Sequence, residues 1–498
     1  MYRITFVKEN KTIEVEENTT LLQAQIMAGL NPNAPCGGAG TCGKCKVNIL
    51  SGDVTGVHRS CQIKVRADLE VDTASTESGH SLLVKGSTRE VTLEPLELIP
   101  PVAASKPWYM VAFDVGTTSV VGYLLDGRTG QQIDTMSMLN PQAQFGADVI
   151  MRSNYVLEHE DTKLTEVIRT ALNSIIATLT QKQSHTPEDV YQVAFVGNTC
   201  MHHLFLGISP QSLVLAPYKP ALLGSLTVDA SVYGISINTR GKLLVLPVID
   251  GFVGADTVGC LVATDFEHKE KITLMIDIGT NGELVLGNKD KMVSSSTAAG
   301  PAFEGAKITC GMRGAAGAID HVDMKDGKLF FTVIGDCKPI GICGSGLMDA
   351  IAMLVREGIV DESGHLEETY YLTEDVFINQ KDVREVQLAK AAIAAGITLM
   401  SEYLNIEVED IEEVLIAGAF GNYMNSDSAC DIGLLPEVLR DRIIPIGNAA
   451  GEGAKIALLN HNEFLNTDAL TEKVNFLELA TVPKFQDIFV DQLAFGEE

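Results

Sequence analysis

The chain has 498 residues, 46% hydrophobic and 20% charged, the balance of a globular protein with several cores rather than of a disordered one. A formal net charge of −28 argues against nucleic acid or an anionic membrane as a partner; solubility is its plain reading, an acidic docking face for a basic protein patch the sharper one. MYRITFVKEN holds no apolar leader and no run approaches the ~18 apolar residues of a membrane span, so the chain reads as cytoplasmic, with its ten cysteines as metal ligands or buried thiols rather than disulfides.

YRITFV and KTIEVEE alternate like strands and predict a hairpin across Lys8 to Lys11. NTTLLQAQIMAGL opens on a threonine N-cap and predicts an amphipathic helix to Gly29. APCGGAGTCGKCKV then packs three cysteines and four glycines into fourteen residues, and the next cysteine is Cys61. The spacing C-x5-C-x2-C-x15-C over Cys36, Cys42, Cys45 and Cys61 supplies four thiolates for zinc or iron–sulfur. Zinc sites usually pair two separated knuckles. Here three ligands share one loop and the fourth comes singly, which favours a [2Fe–2S] cluster. Gly37, Gly38, Gly40 and Gly43 let backbone N–H groups face the sulfides. Hairpin, helix and loop together resemble the plant/adrenodoxin-type ferredoxin domain, a small β-grasp fold, with five residues between the first two cysteines as in the adrenodoxin branch and the fourth cysteine arriving early.

Residues 81–107 change character: STREVTLEPLEL alternates like one extended strand, and IPPVAASKP predicts a semi-rigid tether. The expected division is a cluster domain over 1–80, a linker over 81–107, and two further units over 108–270 and 271–498.

These units echo each other. YMVAFDVGTTSVVGYLLD and ITLMIDIGTNGELVLG are each an apolar strand, a D-x-G-T turn and a second strand, with Asp114 and Asp277 163 residues apart. Glycine lets backbone N–H groups approach phosphate oxygens, threonine adds a hydroxyl, and aspartate holds Mg²⁺ through water. The repeat resembles the superfamily of sugar kinases, actin and the 70-kDa heat-shock chaperone ATPase, which implies two ribonuclease-H-like α/β lobes closing over ATP. On that resemblance Gly116, Thr117, Thr118, Gly279, Thr280 and Asn281 surround the phosphates. VLIAGAFGNYMN matches the adenosine loop with Gly418, Phe420 and Gly421; GNAAGEGAKIALL matches the second interlobe helix. Gly344 and Ser345 open a helix toward phosphate or ribose, or form only a tight turn; Glu304 reaches the nucleoside or only caps. The superfamily places a water-orienting side chain on the first interlobe helix, expected from LPVIDGFVGADTVGCLVA to begin near Phe252. Asp256 is the candidate, Asp250 the runner-up that would cap the turn.

The ferredoxin domain followed by GNTCMHH, GFVGAD, AAGPAFEGA, CGMRG and AGAFGNY resembles the reductive activators of corrinoid proteins. That resemblance implies an ATP-hydrolysing iron–sulfur enzyme that takes an electron from an upstream donor and returns a corrinoid protein from Co(II) to Co(I) in a methyl-transfer system. Some members carry a further domain where this chain has a short joint, which leaves open whether a homodimer forms. Three other readings stand beside it. An activator of 2-hydroxyacyl-CoA dehydratases would use cysteines inside the ATPase, such as Cys337 and Cys343; a redox-sensing module would use the nucleotide only to gate binding; a small-molecule kinase would transfer phosphate. Cys200, Cys260, Cys310, Cys337, Cys343 and Cys430 read foremost as buried thiols, and His202 and His203 as packing residues rather than metal ligands.

Overall fold

The computed structural model describes residues 1–28, 30, 32, 45–73, 89–279 and 281–496. In the N-terminal domain β1 (Tyr2–Phe6) and β2 (Lys11–Val15) form the expected hairpin. The helix α1 (Leu21–Met27) is held at its start by a capping box: Thr20 Oγ1 accepts from Gln23 N–H at 3.2 Å and Gln23 Oε1 from Thr20 N–H at 3.1 Å. It stops two residues before Gly29, which lies outside the described residues. Then come β3 (Lys46–Ser51), β4 (Gly56–Arg59) and β5 (Leu69–Asp72), in a sheet ordered β2-β1-β5-β3-β4 with β5 parallel to β1. Leu21 and Ala24 of the helix close a core with Ile4, Phe6, Val47 and Val71, the arrangement of a β-grasp domain.

Lobe 1 contains β6 (Tyr109–Val115), β7 (Ser119–Asp126), β8 (Gln132–Leu139), α2 (Val149–His159), α3 (Lys163–Lys182), β9 (Val190–Gly197), α4 (Thr199–Leu206), α5 (Gln211–Val214), β10 (Leu226–Asp229) and β11 (Lys242–Val245). Its sheet runs β10-β11-β9-β6-β7-β8: an antiparallel meander followed by parallel crossovers. After α6 (Ala255–Ala263), lobe 2 repeats the plan with β12 (Thr273–Ile278), β13 (Gly282–Asn288) and β14 (Lys291–Thr297). An inserted part follows: β15 (Ala318–Lys325), β16 (Lys328–Val333), β17 (Gly341–Ile342), α7 (Gly344–Arg356), β18 (Tyr370–Tyr371) and β19 (Phe377–Ile378). The lobe closes with α8 (Gln380–Leu404), β20 (Glu413–Ala417), α9 (Gly418–Tyr423), α10 (Ser426–Asp431), β21 (Ile443–Gly447), α11 (Ala449–Leu459), α12 (His461–Lys473), β22 (Val474–Phe476) and α13 (Phe485–Asp491). Its sheet, β21-β20-β12-β13-β14-β22, matches lobe 1 strand for strand through the meander and two parallel crossovers. This is the duplicated actin/sugar-kinase architecture.

One hydrophobic layer joins the lobes. Met110, Ala112 and Val196 of the first sheet and Met275, Val285 and Leu415 of the second enclose α6 and α11. The two helices cross at glycines: a Cβ on Gly453 would stand 2.0 Å from the Gly259 carbonyl oxygen, so no larger residue fits that approach. The outer faces are covered by α3 and α4 on lobe 1 and by α7 and α8 on lobe 2. Among the described residues no helix is long and apolar enough to cross a membrane.

The joint, expected as an extended strand over 87–98 and a semi-rigid tether over 99–107, is docked from Arg89 onward. Glu94 exchanges two 2.8 Å backbone bonds with Leu459 and His461, and Gln192 Nε2 donates to Leu96 O at 2.6 Å. Arg89 donates to Val262 O at 3.1 Å and pairs with Glu463 at 2.5 Å. The expected strand pairs at one position only, Glu94 with Asn460. Val91, Leu96 and Trp108 pack against the interlobe layer, and burying such side chains (about 1.5–3 kcal/mol each when complete) explains why an extended segment lies down instead of swinging free.

Candidate functional site

In the N-terminal domain Cys45 immediately precedes β3 and Cys61 follows β4. The hairpin register Lys46↔Arg59 brings them to one end, where Ser60 N–H donates to Cys45 O at 2.7 Å. Fifteen residues of chain lie between them, yet the β3–β4 hairpin brings them to the same end. Cys45 is buried and Cys61 half-buried, the exposure expected of ligands to a cluster near the surface. Cys36 and Cys42 lie outside the described residues.

Between the lobes is a cleft of about 750 Å³. Asp114 and Asp277 occupy equivalent penultimate positions of β6 and β12; the first turn is closed by Gly116 N–H donating to Ser119 O three residues on, the second by Gly279 N–H donating to Asn281 O two residues on, both at 2.9 Å. In the first turn every carbonyl is engaged from behind. Asn140 Nδ2 takes Gly116 O at 2.8 Å, buried Arg152 takes Thr117 O at 2.6 Å, and Asn140 N–H takes Thr118 O at 2.9 Å. With its acceptors satisfied, the turn presents its Thr117 and Thr118 side to the cleft. Asn198, the N-cap of α4, adds a bond to Thr117 Oγ1 at 2.9 Å.

Asp256 lies in the first turn of α6, which begins at Ala255 and not near Phe252. Phe252 and Gly251 instead belong to a turn in which Asp250 Oδ1 accepts from Gly251 N–H at 2.6 Å. Lys219 Nζ meets Asp250 Oδ2 at 2.5 Å, so the runner-up carboxylate is spent on a salt bridge and is not among the cleft-lining side chains. Asp256 does line the cleft, together with Asp114, Asp277 and Glu283. Shut away from bulk water and close enough to repel, these carboxylates hold their protons more tightly than usual. Burial, then Asp277 and Asp114, lift Asp256 to about 7; burial above all lifts Asp114 and Asp277 to about 6; burial and then Asp256 push Glu283 well up. Among the described residues no three His, Cys, Asp or Glu side chains converge closely enough to ligate a metal directly. A concentrated negative wall without an inner-sphere cage suits Mg²⁺, which keeps waters and is shared with phosphate.

The remaining sequence candidates divide. Gly344, Ser345, Gly418 and Phe420 line the cleft at the end bounded by Phe303, His321, Tyr423 and Asn425. Phe303 and Phe420 stack there at 4.8 Å. Gly418 has φ +83°, the left-handed region that glycine favours, and a Cβ on it would come within 2.7 Å of Asp277 Oδ1. Glu304, next to Phe303, also lines the cleft, its carboxylate accepting from Thr118 Oγ1 of the other lobe at 3.5 Å. Gly421 does not line the cleft: a Cβ there would meet Ile416 Cγ2 at 2.2 Å, so its role is close packing of α9 on β20. Thr280 lies outside the described residues.

Family models match in chain order: "2Fe-2S iron-sulfur cluster binding domain" over residues 5–74, "RACo middle region" over 109–269, and "C-terminal domain of RACo the ASKHA domain" over 271–498. The corrinoid activation enzyme RamQ of Eubacterium limosum is 34% identical over 99% of both chains. The chain belongs to the family of reductive activators of corrinoid proteins. A second relative, the [Co(II) methylated amine-specific corrinoid protein] reductase of Methanosarcina barkeri, is 27% identical over 78% of this chain and 77% of its own. A solved structure titled "Reductive activator for corrinoid,iron-sulfur protein" matches with TM-score 0.74 and 31% identity, covering 99% of this chain and 98% of that one.

Within this family fold, the other histidines and thiols have structural places. His203 bridges Thr199 O at 2.9 Å and Ala221 N–H at 3.0 Å; His202 is fully buried and edge-on to Phe195, its burial depressing its pKa to about 3. Cys337, expected buried, is exposed, and Cys310 is half-buried, while Cys343 is buried against Ile319 O and Ser345 Oγ, each at 3.4 Å. Cys337 and Cys343 therefore occupy different surroundings. Glu283, Asn198, Arg313 and Asn448 were not legible as site residues. Glu283 carried one signal: it stands on the strand after the second D-x-G-T turn, directly opposite Asp277.

Proposed function

We propose that the chain binds MgATP between its lobes and, from a [2Fe–2S] cluster held by Cys36, Cys42, Cys45 and Cys61, passes one electron to a corrinoid protein, returning its cobalt from Co(II) to Co(I). The observation that carries this reading is the presence of both machines on one chain whose relative RamQ, matched over 99% of its length, bears a corrinoid-activation name. When bound, the cluster supplies a one-electron carrier near about −400 mV. The corrinoid couple lies lower, and a gap of about 150 mV costs about 3.5 kcal/mol for one electron. Differential binding of ATP and ADP to closed and open lobes offsets that cost.

The residues divide the work by position. Loop N–H groups after β6 and β12, with Thr117, Thr118, Thr280 and Asn281, would cradle the phosphates; Asp114 and Asp277 would hold Mg²⁺, which would neutralise phosphate charge. Asp256 accepts a proton from the water that attacks the terminal phosphorus, the bond to the β-phosphate oxygen breaks, and ADP and phosphate leave. A carboxyl that titrates near neutrality is suited to that transfer. Phe303 and Phe420 wall the nucleoside. The electron reaches the cluster from an upstream donor, and the acidic surface offers a basic partner patch a docking face.

The test is direct. Chemically reduced protein, MgATP and a Co(II) corrinoid protein are mixed anaerobically and Co(I) absorption is followed. Co(I) must form with MgATP and fail without it. ATP turnover unaffected by any corrinoid protein would refute the reading, and phosphate transfer to a metabolite would replace it with a kinase.

A further inference from the structure

The motif CGMRG contributes Arg313 to the cleft, a residue that neither the phosphate turns nor the carboxylate wall accounts for. Its backbone is firmly placed. Met312 N–H donates to Ile342 O at 2.8 Å, and a Cβ on Gly311 would lie 2.4 Å from Gly305 O, so the segment packs flat on its neighbours while the arginine side chain projects away. Among the described residues no oxygen lies within hydrogen-bond or ion-pair reach of its guanidinium; Glu304 is the carboxylate whose charge acts on it, from beyond ion-pair distance. A guanidinium keeps its charge at any physiological pH, and a half-buried one lining a cleft holds five donors in a fork that suits an anion. Such a group waits for an anion.

Position names the anion. Glu304 accepts from Thr118 in the first phosphate turn, and Arg152, whose guanidinium holds the Thr117 carbonyl of the same turn, feels the charges of both Arg313 and Glu304. The turn thus has one cation on each side, Arg152 buried behind it and Arg313 lining the cleft it faces. The wall of Asp114, Asp256, Asp277 and Glu283 is acidic. A phosphate carrying Mg²⁺ on one side and bare oxygens on the other matches this polarity. Resting on the reading of the cleft as a nucleotide site, we propose that Arg313 binds the terminal phosphate of ATP and is the residue by which the cleft distinguishes ATP from ADP. Because it is carried by lobe 2 while acting beside a turn of lobe 1, the same contact draws the lobes together only when that phosphate is present.

The experiment is calorimetric titration of the full chain with Mg²⁺ and either a non-hydrolysable ATP analogue or ADP, for wild type, R313Q and R313K, with melting temperatures of the nucleotide-free proteins alongside. R313Q is expected to weaken the ATP analogue by about tenfold or more while ADP stays within about twofold. R313K, which keeps the charge but not the fork, should fall between. Equal weakening of both nucleotides, or none, overturns the proposal. If R313Q lowers the melting temperature enough to compromise binding, R313K decides: an unchanged ATP-to-ADP preference then overturns it. Wild-type protein that binds neither nucleotide would overturn the cleft reading and this inference together, whereas wild-type binding with an indifferent R313Q overturns the inference alone.

Discussion

The side-chain amide of Asn448 donates to Asp114 Oδ2 at 2.8 Å, so the cap of the second interlobe helix holds the first aspartate of the cleft. Its other atom, Oδ1, accepts from Gly451 N–H at 2.9 Å and keeps the helix start in place. One side chain thereby ties a helix that belongs to lobe 2 in sequence to the D-x-G-T turn of lobe 1. Asn448→Ala should cost about 1 kcal/mol of stability through the lost cap. It should reduce ATP hydrolysis by about tenfold, because Asp114 loses the bond that fixes its rotamer. Phosphate release and denaturant unfolding measure the two effects. Hydrolysis falling only in proportion to folded protein would show that the bond has no functional part.

Asp256→Asn removes the proton acceptor while keeping the side chain's size and its place in the first turn of α6. Single-turnover hydrolysis should slow by about 10²–10⁴-fold with nucleotide affinity little changed. Asp250→Asn, by contrast, frees Lys219 and should register mainly as lost stability. A fast Asp256→Asn enzyme would exclude Asp256 as the group that takes the proton.

Replacing Cys45 or Cys61 by alanine should abolish the visible iron–sulfur spectrum and acid-labile sulfide, and with them Co(I) formation, while nucleotide binding persists because the cleft is built from residues beyond Tyr109. Stripping the cluster from wild type with a chelator under oxidising conditions should have the same outcome. Tetrahedral zinc without sulfide in the purified protein would contradict the assignment.

Lys390 supplies a pH test of the fold. Its side chain is 1% exposed, bonded to the Ala494 carbonyl and set over the Phe495 ring, which anchors the C-terminal segment to α8. Burial lowers its pKa from 10.5 to about 8. Between those values the unfolded chain binds more protons than the native one, so stability rises with pH across that window and is flat on either side. The gain is on the order of 3 kcal/mol. Chemical denaturation at pH 7 and pH 9.5 should show the rise in wild type and a smaller one in Lys390→Met; identical slopes would mean that the lysine is not buried in solution.

The local devices were legible in the sequence. Alternation and an N-cap predicted the first hairpin and α1; D-x-G-T between apolar strands predicted both strand–turn–strand units; glycine-rich cysteine spacing predicted the iron–sulfur domain. Each is written in a stretch short enough for backbone geometry and side-chain period to decide it alone. Choices that depend on a distant partner were not. Asp250 and Asp256 stand six positions apart and sequence only ranks them; Lys219 comes from 31 residues away to take one, and the α6 terminus brings the other to the cleft. Asn448 meets Asp114 across 334 residues, and Glu304 meets Thr118 across 186, so these roles exist only once the lobes are stacked. The prolines and alternation of residues 89–107 read as a tether because sequence records stiffness and polarity but not the seam of apolar side chains that Val91, Leu96 and Trp108 cover. Local conformational preference acts through neighbouring residues. Partner choice follows from which surfaces the folded chain removes from water together, and that is decided by tertiary packing.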